Sequence, residues 1–154
     1  MKKHWKSLLL CVAIPLAVGG VSAFLSRDGM QNFENLKMPA LAPPGWLFPV
    51  VWTILSLLMG IASRLIVISG KDNEEALKTY RNQLFFNFFW SIIFFELERY
   101  LLAFGWLLVL WFLILLMVVR FYRISKTAGI LMLPYLIWVT FAGYLNFMIW
   151  RLNG

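Results

Sequence analysis

The chain has 154 residues, 62% of them hydrophobic, 18% aromatic and only 14% charged, with 14 Lys and Arg against 7 Asp and Glu for a formal charge of +7. Soluble domains carry about 25% charged and about 45–50% apolar residues, so a mean hydropathy of +0.79 marks an integral membrane protein with no room for a separate soluble domain. A lone Cys11 and a lone His4 exclude an internal disulfide and a Cys/His metal cluster, and the basic residues flank apolar runs instead of forming a nucleic-acid patch.

Lys2, Lys3 and Lys6 precede an uncharged run from Leu8 to Ser26. A basic start, an apolar stretch and Val21-Ser22-Ala23 imitate a secretory signal, but the run is long enough to span, so a first transmembrane helix is predicted over about 7–26. Pro15, Gly19 and Gly20 thin its backbone, either for close helix packing or to leave room for a ligand. The connection Arg27–Gly45 exceeds the ~12–15 residues usual for a structureless loop. Its apolar Phe33, Leu36, Met38 and Leu41 favour a lid folded on the protein over a disordered linker.

Pro39, Pro43, Pro44 and Pro49 make the entry to the second helix rigid and irregular. That helix is predicted over about 46–68, with Trp46 and Trp52 at its start. Trp46 is either a pocket residue or an interfacial anchor. A polar turn at 70–75 follows. The third uncharged run, Asn82–Phe95, has only 14 residues, short of the ~20 a span needs. A helix over about 80–97 with Arg81 reaching back to the interface restores the length. Gln83, Asn87 and Ser91 recur at i, i+4, i+8 with Trp90 beside them, and such groups must find partners away from lipid. The stripe is inter-helix glue, either alone or also bordering a pocket.

A fourth helix is predicted over about 101–122, featureless but for Trp106 and Trp111, which suit an aromatic belt. The fifth, about 129–151, places Trp138, Ala142 and Asn146 on one face, as a cavity lining or as packing. With five spans, ten of the 14 basic residues fall on the side of the N-terminus. The positive-inside rule then puts the N-terminus in the cytoplasm and the C-terminus and loop 27–45 outside.

The spans hold no acidic residue, so the carboxylates of a proton relay are missing. His4 cannot build a Ser/His/Asp set, and there is no phosphate-binding glycine loop. Glu96, Glu98 and Arg99 read as a membrane-surface turn. What remains is an aromatic store of 8 Trp, 14 Phe and 5 Tyr, suited to a flat, apolar ligand.

Three motifs carry a family resemblance. They are Pro43-Pro44-Gly45-Trp46-x-Phe48-Pro49-x-x-Trp52 running into Gly60; Gln83-Leu84-x-x-Asn87-x-x-Trp90-Ser91; and Pro134-Tyr135-x-x-Trp138-x-x-Phe141-Ala142-x-x-Leu145-Asn146-x-x-Ile149-Trp150. Together they resemble the TspO/translocator protein family (the peripheral-type benzodiazepine receptors) of the bacterial type, over the whole chain. The resemblance implies an all-α five-transmembrane-helix bundle, a single domain over 1–154, with a long Pro-rich loop between helices one and two. It implies binding of porphyrins and of benzodiazepine- and isoquinoline-type ligands, with no resident cofactor or metal. For some bacterial members it implies light-dependent degradation of protoporphyrin IX. By the motif match Trp52 and Trp138 flank the ligand, and as its neighbours they are the Trp residues expected to take part in electron transfer with the illuminated pigment. Asn87, Trp90, Ala142 and Leu145 line the pocket, with Ser22 and Phe48 beside them. The resemblance also implies a homodimer, since family members often pair through the membrane faces of their helices.

Two departures matter. Asn32-Phe33 stand where a Trp-Tyr pair is common, and Phe147 replaces the Tyr of the animal cholesterol motif. The looser sterol pattern starts at Val139 and Tyr144, but Arg151 lies one residue too far, so weak or no cholesterol binding is expected. Two other functional classes stay open: a non-catalytic porphyrin sensor or scaffold, and a small transporter of apolar molecules.

Overall fold

A computed structural model describes residues 2–25, 27–29, 35–39 and 47–153. The described residues are helical throughout the elements, with no strand among them. Helix α1 covers Lys2–Leu25, α2 Leu47–Val67, α3 Glu74–Ser91, α4 Tyr100–Ile124, α5 Lys126–Leu131 and α6 Leu133–Asn153. A π-helical turn, Ile92–Glu96, extends α3. Phe33, Leu41, Trp46 and the prolines at 43 and 44 lie outside the described residues, as does most of the loop expected to form a lid.

Four segments are long and apolar enough to cross a membrane: Leu8–Leu25, Leu47–Val67, Tyr100–Ile124, and Lys126–Asn153, which joins α5 and α6. The chain is thus a multi-pass, all-helical membrane protein. Helix α3 is of another kind. Glu74, Glu75, Lys78 and Arg81 occupy its first turns, and Glu74 and Glu75 there complement the helix dipole. It starts upstream of residue 80 because Gly70, at φ +73, turns the chain early.

Each boundary has a local cause. Pro49 falls in the first turn of α2, where no intrahelical donor is required. Ser125 caps α5 by accepting from the Ala128 amide at 3.3 Å. The break between α5 and α6 falls at Met132, two residues before Pro134, which lacks an N–H and crowds the preceding turn.

Lipid tails are as apolar as Leu, so close backbone approach must hold the bundle together. Helices α1 and α2 show this. A Cβ placed on Gly60 would stand 2.6 Å from the Val12 Cα, so the two backbones touch there. Outward from this crossing, Leu9, Leu10, Ile14, Val21 and Phe24 are exposed and face the hydrocarbon. Two buried clusters fill the interior. The larger one joins α2 to α6 through Met59, Ile66, Leu110, Ile114, Met117, Phe121, Met132 and Tyr135. The smaller gathers Ile93, Phe94, Phe95, Ala103 and Ile149 at the other end, with Leu36 and Met38 packed on it.

The described part of the loop is anchored. The Asn153 carboxamide accepts from the Lys37 amide and donates to the Lys37 carbonyl, both at 3.0 Å. Gly29 lies against the Phe95 carbonyl so closely that a Cβ would stand 1.8 Å from its oxygen.

Candidate functional site

Between the two clusters is a cavity of about 480 Å³, within the ~300–1,000 Å³ usual for small-molecule sites. Every long helix contributes to its wall. Helix α1 brings Leu16, Gly19, Gly20, Ser22 and Ala23, and α2 brings Phe48, Pro49, Trp52 and Thr53. Helix α3 and its π turn bring Asn87, Trp90, Ser91 and Phe95; α4 brings Leu107 and Leu110; α6 brings Trp138, Val139 and Ala142.

The cavity survives because aromatic pairs brace it. Phe48 and Trp52 are four apart on α2, and Tyr135 and Trp138 are three apart on α6, so each pair shares a helix face. The Phe48 and Trp138 rings meet edge to face at 5.8 Å, and Trp52 and Tyr135 at 6.3 Å. The two braces hold α2 and α6 apart at ring distance.

Glycine spacing on α1 resolves into two roles. A Cβ on Gly19 would stand 1.6 Å from the Trp52 Nε1, so Gly19 is the seat of that indole. Nothing lies within 4 Å of a Cβ on Gly20, which forms open cavity wall. The first glycine serves packing and the second leaves space. The Trp52 Nε1–H is buried without a hydrogen-bond partner.

The polar stripe of α3 is both glue and wall. Asn87 Nδ2 donates to the Tyr135 hydroxyl at 2.7 Å, and that hydroxyl donates to Gln83 Oε1 at 2.6 Å. Trp90 Nε1 donates to Asn146 Oδ1 at 3.1 Å, and Asn146 Nδ2 donates to the Tyr100 carbonyl at 2.7 Å. Ser22 Oγ donates to the Phe88 carbonyl at 3.3 Å, fastening α1 to α3. On the other stripe, Trp138 and Ala142 reach the cavity and Asn146 is buried glue.

Of the residues the sequence singled out, Ser22, Phe48, Trp52, Asn87, Trp90, Trp138 and Ala142 surround this one cavity. Leu145 does not. It lines a neighbouring recess of about 10 Å³ with Phe94, Asn146 and Ile149, at most the size of a single water. One turn beyond Ala142, its side chain joins the packing at the loop end. Trp106 and Trp111 tie helices together. Their Nε1 atoms donate to the Phe86 carbonyl at 2.7 Å and to Thr140 Oγ1 at 2.8 Å.

Sequence reasoning passed over Leu107, Leu110 and Val139, which sit among many similar residues and carry no distinguishing signal. Phe95 reaches the wall through the π turn, whose register shift leaves no mark in the sequence. Among the described residues no three His, Cys, Asp or Glu side chains are grouped to hold a metal.

The sequence model of the TspO/MBR family matches residues 11–151. A protein of Chlorobaculum tepidum named Tryptophan-rich protein TspO is 40% identical, over 99% of each chain. The Tryptophan-rich sensory protein of Cereibacter sphaeroides is 36% identical, over 99% of this chain and 95% of its own. The human Translocator protein is 34% identical, over 86% of this chain and 80% of its own.

Proposed function

The chain belongs to the TspO/MBR family, and from that premise we propose that it binds a flat tetrapyrrole of the protoporphyrin type in the cavity between α1, α2, α3 and α6. The observation that carries this reading is one apolar cavity of about 480 Å³ with three indoles, Trp52, Trp90 and Trp138, on its wall. Aromatic faces stack on a planar pigment, and burial of its apolar area supplies the affinity. The same wall suits benzodiazepine- and isoquinoline-type ligands. Leu145 acts by supporting Ala142 and Trp90 from behind. For the propionates of such a pigment the outer side offers few cations, Arg27, Lys37 and Arg99 among them. The Arg27 guanidinium is already held by the Phe24 carbonyl at 2.8 Å and lies over the Phe24 ring.

The proposal includes light-dependent breakdown of the bound pigment. The excited porphyrin and dioxygen carry the hard chemistry; the protein confines and orients them. Trp52 and Trp138 act as electron donors from opposite braces of the cavity. The test is bleaching of the protoporphyrin absorption band under light in the parent, Trp52→Phe and Trp138→Phe. Slower bleaching in both variants at equal occupancy is expected, and equal rates would remove the two rings from the reaction.

A second reading draws on the relative named a sensory protein: binding reports pigment to a partner without turnover. Tight binding with no bleaching in the parent decides for it. The transporter reading has no intramembrane carboxylate to support it, and gradient-dependent uptake into vesicles would revive it.

Helix α3 with its π turn forms the fifth crossing in this proposal. Glu74–Glu96 is 23 residues, about 34 Å at ~1.5 Å per residue, against ~30 Å of hydrocarbon. Five crossings leave the N-terminus cytoplasmic and the C-terminus and loop outside, with two copies pairing through their membrane faces. A reporter after Gly154 that proved cytoplasmic would overturn the orientation. Submicromolar cholesterol affinity in detergent would overturn the expectation of weak sterol binding.

A further inference from the structure

We propose that Gln83, acting through Tyr135, sets which hydrogen-bonding group Asn87 presents to the cavity, so that the site takes flat aromatic guests bearing either a donor or an acceptor at one edge. The proposal rests on the cavity being the binding site.

The Tyr135 hydroxyl has one proton and stands between two amides. It gives that proton to Gln83 Oε1, so its contact with Asn87 must use an Asn87 N–H. Asn87 Oδ1 then has no hydrogen-bond partner among the described residues and belongs to a side chain on the cavity wall. In this arrangement the cavity meets an acceptor, fit for a guest N–H or O–H.

The opposite arrangement uses the same atoms. If Gln83 turns its amide, an Nε2–H donates to the Tyr135 oxygen. The O–H bond then rotates toward Asn87, whose own carboxamide turns over so that its Oδ1 accepts from the hydroxyl, and Asn87 shows its NH2 to the cavity. No covalent bond breaks. Gln83 is 0% exposed, and its Nε2 has no partner in the observed arrangement. A buried amide N–H without a partner is costly. The turned arrangement uses one of its N–H groups and leaves a carbonyl short instead, which is tolerated more readily. The observed state therefore holds no large advantage, and a guest of the opposite sign can reverse it. Asn146 cannot do this, because its oxygen and its nitrogen have separate fixed partners.

The test uses three tricyclic guests of one shape: carbazole with an N–H at its edge, 9-fluorenone with a carbonyl there, and fluorene with neither. Calorimetry on the full chain in lipid nanodiscs, with empty discs subtracted, gives each affinity. The parent is expected to bind carbazole and fluorenone within about threefold of each other, and each about fivefold or more tighter than fluorene, as one hydrogen bond gives. In Gln83→Leu the Tyr135 proton has only Asn87 Oδ1 to go to, so carbazole loses its advantage and fluorenone keeps it. Gln83→Met repeats the test should the first variant fold poorly. In a Tyr135→Phe background the Gln83 change should leave the ratio unmoved, and Asn87→Leu should erase both advantages. A parent that prefers one guest by more than tenfold, or Gln83 variants that leave the carbazole-to-fluorenone ratio unchanged, would overturn the relay. Those results with all three guests bound leave the cavity reading standing. No binding of any guest, or of protoporphyrin, ends both.

Discussion

Asn146 and Gln83 are both fully buried amides at the heart of the bundle, and they are treated differently. Asn146 joins three helices: its oxygen takes the Trp90 N–H of α3, and its nitrogen serves the Tyr100 carbonyl of α4. Gln83 is paired at its oxygen alone, and its nitrogen has no partner. The difference separates fixing from choosing. A fully paired amide locks the wall at Trp90, and a half-paired one leaves the wall at Asn87 free to change sign. Polar groups inside a membrane bundle can thus serve geometry or recognition, and the count of partners tells which.

The strongest way to break the contrast is Asn146→Leu. It strands the Trp90 N–H and the Tyr100 carbonyl at once, and each stranded group costs ~1–3 kcal/mol. A fall of roughly 5–15 °C in the detergent melting temperature, read by circular dichroism, is expected. Gly19→Ala comes next. Its methyl overlaps the Trp52 indole, and overpacking of this kind costs ~1–3 kcal/mol. Protoporphyrin titration should show about tenfold weaker binding, since ~1.4 kcal/mol is a factor of ten. Gly20→Ala, on open wall, should stay within ~0.5 kcal/mol of the parent in the same melt. Gln83→Leu should cost about 1 kcal/mol or less, because loss of an acceptor for Tyr135 is offset by removal of an unpaired amide NH2. If it proved as damaging as Asn146→Leu, the two amides would be equivalent and the contrast would fall. Asn153→Ala is also mild, at about 1 kcal/mol or less for exposed hydrogen bonds. Its clearer readout is faster tryptic cleavage after Lys37, whose backbone the Asn153 amide holds.

Much of this was legible in the sequence because the signals are periodic. Gln83, Asn87 and Ser91 announce a face, and one face of a helix can meet only one interior. Trp138 and Ala142 do the same on α6, but spacing left cavity lining and packing both open, and the structure puts these two on the cavity and Asn146 in the packing. Leu145 belonged to the same motif as Ala142, but a motif records neighbours in the chain, and one further turn carried it into the packing at the loop end. Gly19 and Gly20 were visible as small residues. Only the position of Trp52 separates the seat from the opening. The π turn at Ile92–Glu96 was not legible, since its residues, Ile-Ile-Phe-Phe-Glu, fit an ordinary helix equally well. Four segments cross a membrane on length and composition. Helix α3 has the form of a helix but not the composition of a span, because four charged side chains crowd its first turns.

The clasp between Asn153 and Lys37 also sets an order in time. The two residues lie 116 positions apart, so at ~5–20 residues per second the loop segment leaves the ribosome about 6–23 s before its holder does. During that interval α1 and α2 can already cross at Gly60 and Val12. Leu36 and Met38 must wait for Ile149, and Lys37 for Asn153. The seat of the 35–39 segment is therefore completed late, by the last turn of α6, made after the segment it holds.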